Sequence, residues 1–286
     1  MGEITVYEVG PRDGLQNEKR IIPAAEKIAL IDALSGCGFR YIEAASFVSP
    51  KWVPQMADGA AVMAGIERRA GVRYAALTPN LRGFEAAQEA RADEVAVFVS
   101  ASEGFSAANL NCSIDESFER IVPVTERARA EGVSLRGYVS CVTDCPFDGR
   151  TEPAQVAAVS ARLFDLGCRE VSLGDTIGQG TPESVDAMLA AVLAVADADR
   201  LAGHFHDTNG RALENVEVAL GRGLRVFDSA VGGLGGCPFA PGAAGNLATE
   251  RLVERLERLG FDTGLDAACI DRCAELARTI RAGKAA

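Results

Sequence analysis

The feature that most constrains the fold is a regular alternation of short apolar runs with longer stretches of helical periodicity. Eight runs rich in β-branched and apolar residues predict strands at residues 4–9, 40–43, 72–77, 94–100, 133–139, 170–173, 201–206 and 226–230. After each of them apolar residues recur at helical spacing, at residues 24–37, 56–70, 81–90, 114–131, 153–167, 182–196, 209–221 and 248–259. Eight strands, each followed by a helix, predict an α/β fold of the (β/α)8 TIM-barrel type.

The domain organisation follows from the length and from the even distribution of this pattern. The chain has 286 residues, which is a typical length for one such barrel. No Pro/Ser-rich linker or run of like charges divides it, so we predict a single domain over residues 1–286. Its last part, about residues 260–286, is expected to add one extra helix, whose periodic pattern covers 265–281. A doubly wound sheet is the alternative, but such sheets usually have fewer strands, and no Gly-x-Gly-x-x-Gly follows the first strand.

Charge and composition exclude several classes of function. The 29 Lys and Arg residues against 40 Asp and Glu residues leave a net charge of −11, whereas a nucleic-acid-binding protein normally has a basic face. No segment reaches the roughly 18 consecutive apolar residues of a membrane span, and the amino terminus lacks the features of a signal peptide. We therefore expect a cytoplasmic protein.

Most of its eight cysteines are expected to be reduced, buried thiols, and the two Cys-x3-Cys spacings lack the paired Cys-x2-Cys motifs of a zinc site.

The two histidines of the chain are the strongest chemical signal. His204 and His206 lie two residues apart near the end of predicted strand seven, so both imidazoles project from the same face of the strand. Imidazole is a common metal ligand, and this spacing allows two rings to meet one ion. The sequence therefore favours a metal site over the alternative, a pair of neutral core histidines with backbone partners.

Oxygen ligands are available on neighbouring elements of the predicted barrel. Asp13 follows strand one, and Asn246 lies in the loop after strand eight. In a closed barrel, strand eight lies between strands one and seven, so both residues can reach the histidines. Asp13, His204, His206 and Asn246 form the predicted ligand set. Mixed nitrogen and oxygen donors with open positions suit Mg²⁺ or Mn²⁺. Taken alone, an Asp in a turn is usually a turn residue, so this prediction depends on convergence of the four at one rim.

Two further features lie beside these ligands. Arg12 is placed to hold a developing oxyanion at the mouth of the barrel, or to form a salt bridge with a neighbouring carboxylate. The two roles are compatible, because Glu43 at the end of predicted strand two can orient the guanidinium of Arg12. The loop at residues 231–246 surrounds Cys237 with six glycines, and it matches neither a P-loop nor a dinucleotide fingerprint. A Gly-rich loop is a candidate lid, and Cys237 is predicted to react or to transfer a proton rather than to fill a core.

Six motifs together resemble the family of 3-hydroxy-3-methylglutaryl-CoA lyases. They are Glu-Val-Gly-Pro-Arg-Asp-Gly-Leu-Gln-Asn-Glu-Lys (8–19), Ala-Ser-Phe-Val-Ser-Pro-Lys-Trp-Val-Pro-Gln-Met (45–56), Leu-Thr-Pro-Asn-Leu (77–81), Arg-Gly-Tyr-Val-Ser-Cys (136–141), Ser-Leu-Gly-Asp-Thr-Ile-Gly (172–178) and Gly-Leu-Gly-Gly-Cys-Pro-Phe-Ala (233–240). The resemblance spans nearly the whole chain, and the last motif is specific to this family within its superfamily. Two departures from animal members are a Phe at position 205, where they carry Cys, and a carboxy terminus without a cysteine near its end.

The resemblance implies metal-assisted cleavage of 3-hydroxy-3-methylglutaryl-CoA to acetyl-CoA and acetoacetate, in a homodimer. The implied catalytic residues are Arg12, Asp13, Glu43, His204 and Cys237, and Arg12, Gln16 and Lys19 are the implied contacts to the acyl-CoA substrate. Asp13 or His204 is the candidate base, and Cys237 or a histidine-bound water the candidate acid. The pathway stays open between leucine breakdown and a related acyl-CoA route.

Four alternative functions remain open at this stage. They are a synthase that condenses acetyl-CoA with a 2-keto acid, a lyase for a related 3-hydroxyacyl-CoA, a metal-dependent hydrolase barrel and a non-catalytic binding protein. The Cys237 loop argues against the synthase, and two histidines are fewer ligands than a metal-dependent hydrolase usually has.

Overall fold

The chain folds around a closed barrel of eight parallel strands. The computed structural model describes residues 2–237 and 240–283, without the side chains of residues 236–237 and 240–244. The barrel strands are β1 (Thr5–Glu8), β2 (Tyr41–Ser46), β3 (Arg73–Leu77), β4 (Glu94–Ser100), β5 (Ser134–Ser140), β6 (Glu170–Asp175), β7 (Leu201–Phe205) and β8 (Val226–Ser229). Each strand pairs in parallel with its sequence neighbours, and β1 pairs with β8 to close the barrel. The predicted (β/α)8 barrel is confirmed.

Ten α-helices surround or extend the barrel. They are α1 (Ala24–Ser35), α2 (Gly59–Gly65), α3 (Leu81–Glu89), α4 (Glu103–Leu110), α5 (Ile114–Glu131), α6 (Pro153–Asp165), α7 (Pro182–Val192), α8 (Ala212–Gly221), α9 (Thr249–Arg258) and α10 (Ala267–Ala282) among the described residues. None of these helices combines the length and apolar character needed to span a bilayer. Local sequence signals account for several ends: Ser113 and Glu116 form a capping box at the start of α5, and Gly132 ends it in the left-handed region.

The sequence prediction was wrong in four local details. Helix α4 was missed, because eight residues of weak periodicity with an N-cap at Ser102 carry little signal. The helices predicted at 56–70 and 182–196 are shorter in the structure. Strand β2 continues to Ser46, so Glu43 lies inside the strand and is fully buried, not at its end. Strand β7 ends at Phe205, and His206 instead forms an isolated bridge with Asn246.

The cysteines depart from the expectation in one place. Cys112, Cys141, Cys145, Cys168 and Cys273 are free and buried, as predicted. Cys37 and Cys269 form a disulfide, because α10 returns from the end of the chain and lies against the segment that follows α1. The proximity of residues 232 positions apart is a product of the tertiary fold and has no signature in the Cys spacing.

Candidate active site

The turn after β1 presents the first functional side chains at the carboxyl rim of the barrel. Gly10–Gly14 forms a single π-helical turn with Pro11 as its second residue, and the backbone amides of Arg12, Asp13 and Gly14 all donate to the carbonyl of Val9. A π-helical turn of this kind is rare and is found mostly at functional sites. It directs two adjacent charged side chains, Arg12 and Asp13, toward the barrel axis.

Three predicted ligands meet at this rim. One ligand atom each of Asp13, His204 and His206 lies within 4.8 Å of the others, and the two imidazole centroids are 5.3 Å apart. Asn246 joins them through a hydrogen bond from Nδ2 to Oδ2 of Asp13 at 2.9 Å. The structure thus brings all four predicted ligands together, although they come from the turn after β1, the end of β7 and the loop after β8.

His204 is held by a carboxylate inside the barrel. Its Nδ1 lies 3.1 Å from Oδ2 of Asp228, which leaves Nε2 available to the rim. Burial by itself lowers the pKa of His204, but the hydrogen bond and negative charge of Asp228 outweigh burial and raise it. A carboxylate behind a ligating imidazole fixes the tautomer and the ring orientation and raises the basicity of the ring.

His206 is kept neutral. Burial, together with the proximity of His204, lowers its pKa to about 4. Within the described part of the chain, its buried Nδ1 has no hydrogen-bond partner. A buried polar atom without a partner is costly, and a neutral imidazole nitrogen in this position is suited to accept a metal ion.

Asp13 is held as a carboxylate. Burial would raise its pKa, but the charge of Arg12 and then those of His204 and His206 overcome burial and lower the pKa to about 2. Arg12 Nη1 donates to Asp13 Oδ1 at 2.6 Å, and Asn246 donates to the second oxygen. The carboxylate therefore stays ionised over the whole physiological range and retains lone pairs for a cation.

Arg12 is a buried cation between two carboxylates. Its Nε and Nη2 both lie 2.6 Å from Oε2 of Glu43, and its Cζ lies 5.5 Å from the centre of the Tyr138 ring. Burial opposes the charge on Arg12, but Glu43 and Asp13 outweigh burial and raise its pKa. Glu43 therefore holds the guanidinium in one orientation, in a site of low dielectric where its charge acts strongly.

The sequence analysis missed the polar network beneath the site. Arg136 on β5 is fully buried and donates to both carboxylate oxygens of Asp228 on β8, at 2.6 and 3.1 Å. Ser172 on β6 also donates to Asp228, and Arg136 donates to the hydroxyl of Tyr138. A signal was available in the sequence, because Arg136, Ser172 and Asp228 lie inside predicted strands. Strands of a parallel barrel are ordinarily apolar, so polar residues within them indicate a special role.

The remaining predicted residues are less well defined by contacts. Gln16 is half-buried two residues after the π-helical turn, and Lys19 is exposed. Arg20, next to Lys19, pairs with Glu26 and donates to the carbonyl of Ile280. The side chain of Cys237 lies outside the described residues, so its catalytic role stays a prediction.

The backbone of the Gly-rich loop lies directly against the rim. Gly235 has a φ of +96°, and a Cβ there would lie 2.9 Å from Asn246 Nδ2 and 3.3 Å from Gly14 Cα. A side chain at this position would displace a predicted ligand. After it, Gly236–Cys237 pairs in antiparallel fashion with Ala240–Ala244. The described backbone of the loop at Gly235 therefore lies at the same edge of the barrel as the four predicted ligands.

Comparisons with known proteins identify close relatives over almost the whole chain. A family model described as HMGL-like matches residues 3–277. A Pseudomonas aeruginosa protein named 3-hydroxy-3-isohexenylglutaryl-CoA/hydroxy-methylglutaryl-CoA lyase is 57% identical over 264 residues, which are 92% of this chain and 88% of that protein. The solved structure of the HMG-CoA lyase from Brucella melitensis has a TM-score of 0.98 and 60% identity, over 99% of this chain and 100% of that one. An HMG-CoA lyase from Acinetobacter baumannii, solved with coenzyme A and 3-methylmalate, has a TM-score of 0.93 and 39% identity, over 98% and 91% of the two chains.

Proposed function

This chain belongs to the HMGL-like family, and we propose that it is a carbon–carbon lyase that cleaves 3-hydroxy-3-methylglutaryl-CoA to acetyl-CoA and acetoacetate. The observation that carries the proposal is the meeting of Arg12, Asp13, His204, His206 and Asn246 at one rim of the barrel. Relatives that are 54–57% identical are named for the same activity.

The residues at the rim fit a divalent cation. Asp13 offers an ionised carboxylate, the two histidines offer ring nitrogens within 4.8 Å of it, and Nδ1 of His206 has no partner among the described residues. The mixed nitrogen and oxygen donors favour Mg²⁺ or Mn²⁺, with Asp13, His204, His206 and Asn246 as ligands. When bound, such an ion supplies Lewis acidity toward the oxygens of the substrate.

Arg12 has the role of stabilising negative charge during cleavage. A base removes the proton of the C3 hydroxyl, the C2–C3 bond breaks, and negative charge develops on the thioester oxygen of the departing acetyl-CoA enolate. Arg12 is already oriented by Glu43, so it meets this charge without reorganisation. A matched donor of this type is worth about 10²–10³ in kcat.

The two candidate bases differ in their environments. With a pKa of about 2, Asp13 is a poor proton acceptor near neutral pH and is better suited to ligation. Asp228 raises the pKa of His204, but Nδ1 of this ring faces Asp228 and Nε2 is the proposed ligand atom. His204 can therefore accept the substrate proton only when its Nε2 is not bound to the cation. Cys237 is the proposed acid that protonates the enolate carbon, on the argument from its position in the Gly-rich loop.

The activity is tested with the purified protein and 3-hydroxy-3-methylglutaryl-CoA in a spectrophotometric assay for acetoacetate release. We expect turnover with Mg²⁺ or Mn²⁺ and its loss when a chelator is added. A parallel reaction with acetyl-CoA and a 2-keto acid tests the synthase. Condensation without cleavage would overturn the proposal.

A variant pair tests the assigned role of Arg12. Arg12→Gln should lower kcat about 10²–10³-fold, because the guanidinium that meets the enolate oxygen is lost. Arg82→Gln is the matched control, since Arg82 is an exposed arginine on α3, and it should retain wild-type turnover. Equal activity of the two variants would exclude Arg12 from the chemistry.

The acyl range is a second question, raised by the Pseudomonas aeruginosa relative, whose name includes a 3-hydroxy-3-isohexenylglutaryl-CoA substrate. The same assay with a longer 3-hydroxyacyl-CoA measures this range as a ratio of kcat/KM values. We also propose a homodimer, which the family resemblance implies, and a cytoplasmic location, which the bacterial relatives support. Light scattering after size exclusion tests the dimer.

A further inference from the structure

A second cluster of ligand-type side chains lies outside the rim site. One sulfur each from Cys37, Cys269 and Cys273 lies within 4.8 Å of the others. Cys37 follows the end of α1 and precedes β2, so it lies at the amino-terminal end of the barrel, opposite the carboxyl rim. The two other cysteines come from α10, which the barrel itself does not require.

The geometry of the cluster is set by one helix and one loop. Cys269 and Cys273 are four residues apart on α10 and therefore project from the same face. The Sγ atoms of Cys37 and Cys273 are 3.5 Å apart, and Cys37 and Cys269 are joined as a disulfide. The carbonyl oxygen of Ala33 lies 3.4 Å from Cys37 Sγ and 3.9 Å from Cys269 Sγ, and supplies an additional oxygen donor.

We propose that the reduced form of this cluster binds one thiophilic divalent cation of the zinc class, and that the Cys37–Cys269 disulfide closes the site. Zinc–thiolate bonds of about 2.3 Å in tetrahedral geometry place sulfurs about 3.8 Å apart. The Sγ atoms of Cys37 and Cys273, 3.5 Å apart, are near this value, and Cys269 Sγ lies within 4.8 Å of Cys273 Sγ. Cys37 and Cys269 reach it only after their disulfide is reduced. Three thiolates with a carbonyl oxygen or a water complete four-coordination.

Burial distinguishes this cluster from a chance surface group of thiols. Cys37 and Cys273 are almost fully buried, at 1% and 2% exposure, whereas Cys269 is half-buried and gives an ion access from solvent. Burial, and then the charge of Glu8, raises the pKa of Cys273 to about 11. The metal-free thiol is therefore neutral, and a cation has to displace its proton.

The redox step balances with an external thiol as reductant. Two equivalents of a low-molecular-weight thiol reduce the Cys37–Cys269 bond to two cysteine thiols and become one disulfide. Binding of the cation then releases the protons of Cys37, Cys269 and Cys273 to solvent and forms three metal–sulfur bonds. In the oxidised protein two of the three ligands are bonded to each other, and only the neutral Cys273 thiol remains.

The site is tested with Cd²⁺, whose thiolate complexes have an ultraviolet charge-transfer band that nitrogen and oxygen ligands do not produce. The full-length protein is titrated with Cd²⁺ in excess Mg²⁺, after reduction and removal of the reductant. We expect the band to reach its end point at one equivalent in the reduced protein and to be lost after oxidation to the mapped Cys37–Cys269 disulfide.

Variants assign the band to the cluster. Cys273→Ala should lower the Cd²⁺ affinity at least 10-fold with a matching loss of band intensity. Cys269→Ala on the half-buried helix face provides a second variant if Cys273→Ala folds poorly. Cys112→Ala removes a buried free thiol elsewhere and should keep the full band. A reduced protein without the band, or the same band in Cys273→Ala and Cys112→Ala, would overturn the proposal. Undiminished Cd²⁺ binding by the oxidised protein would do so too.

Discussion

The buried side chain of Glu8 predicts a pH-dependent change in the free energy of unfolding, and its surroundings set the magnitude of that change. The side chain is fully buried at the end of β1, where Oε1 accepts from the amides of Gly10 and Val231 and Oε2 lies 2.7 Å from Oγ1 of Thr249. Burial raises its pKa to about 7, although the three hydrogen bonds partly oppose the shift. Glu8 thus connects the two rim segments that carry Asp13 and Asn246.

The shift from 4.5 to about 7 has a defined effect on stability. The folded protein binds the Glu8 proton more tightly than the unfolded chain, so this proton stabilises the fold fully below pH 4.5. The contribution is lost progressively as the pH rises through about 7, and it amounts to about 3 kcal/mol. Other groups change in parallel, so the effect is measured as a difference from a variant.

Glu8→Gln is the suitable variant because the amide resembles the protonated carboxyl group. Its oxygen retains the two backbone amides, and its NH2 donates to Thr249, whose hydroxyl lies 2.8 Å from Ser229. We expect Glu8→Gln to match the wild type near pH 4.5 and to exceed its free energy of unfolding by about 3 kcal/mol at pH 8. Urea unfolding at intervals of pH, with chelator present throughout, measures this difference. Glu67→Gln on the exposed surface is the control, and a Glu8→Gln difference that stays constant within about 0.5 kcal/mol would refute the reasoning.

Three further predictions concern the rim site. His206→Ala should lose tight Mn²⁺ binding, measured by calorimetric titration, while circular dichroism shows a folded barrel; unchanged affinity would exclude His206 as a ligand. Asp228→Asn should weaken Mn²⁺ binding about 10–100-fold, because the carboxylate that orients His204 is lost, and normal affinity would contradict this role. Cys237→Ala should lower kcat about 10²–10⁴-fold with little change in metal affinity, and Cys237→Ser should recover little of it. Near wild-type turnover of Cys237→Ala would instead make the thiol a packing group.

The fold was largely predictable because its signals are local. Strand and helix periodicity, Pro153 and Pro182 at helix starts and Gly132 at a helix end each depend on neighbouring residues only. Eight repeats of that pattern leave few ways to bury every apolar face, and barrel closure is the one observed. Short elements were missed, such as α4 and the π-helical turn, since eight or fewer residues provide too few repeats to detect.

The sequence predicted that the four candidate ligands meet at the rim, but it did not predict their pKa values. His204 lies in β7 and His206 one residue beyond its end, and the barrel order places Asp13 and Asn246 near them, so their meeting follows from topology. The pKa of His206 is lowered mainly by burial, and that of Asp13 is lowered by Arg12 beside it and by His204 and His206 from across the barrel. No sequence pattern reports those distances.

By itself, then, the sequence determined the barrel, its strand order and the side chains available at each strand end, because these depend on periodicity and chain order. Only the tertiary structure decided which buried groups face each other across the interior, such as Arg136 with Asp228 and Asp228 with His204. The same is true of Cys37 and Cys269, which are 232 residues apart. The physical reason is that electrostatic and covalent contacts depend on distance in space, and the path of the chain around the barrel sets that distance.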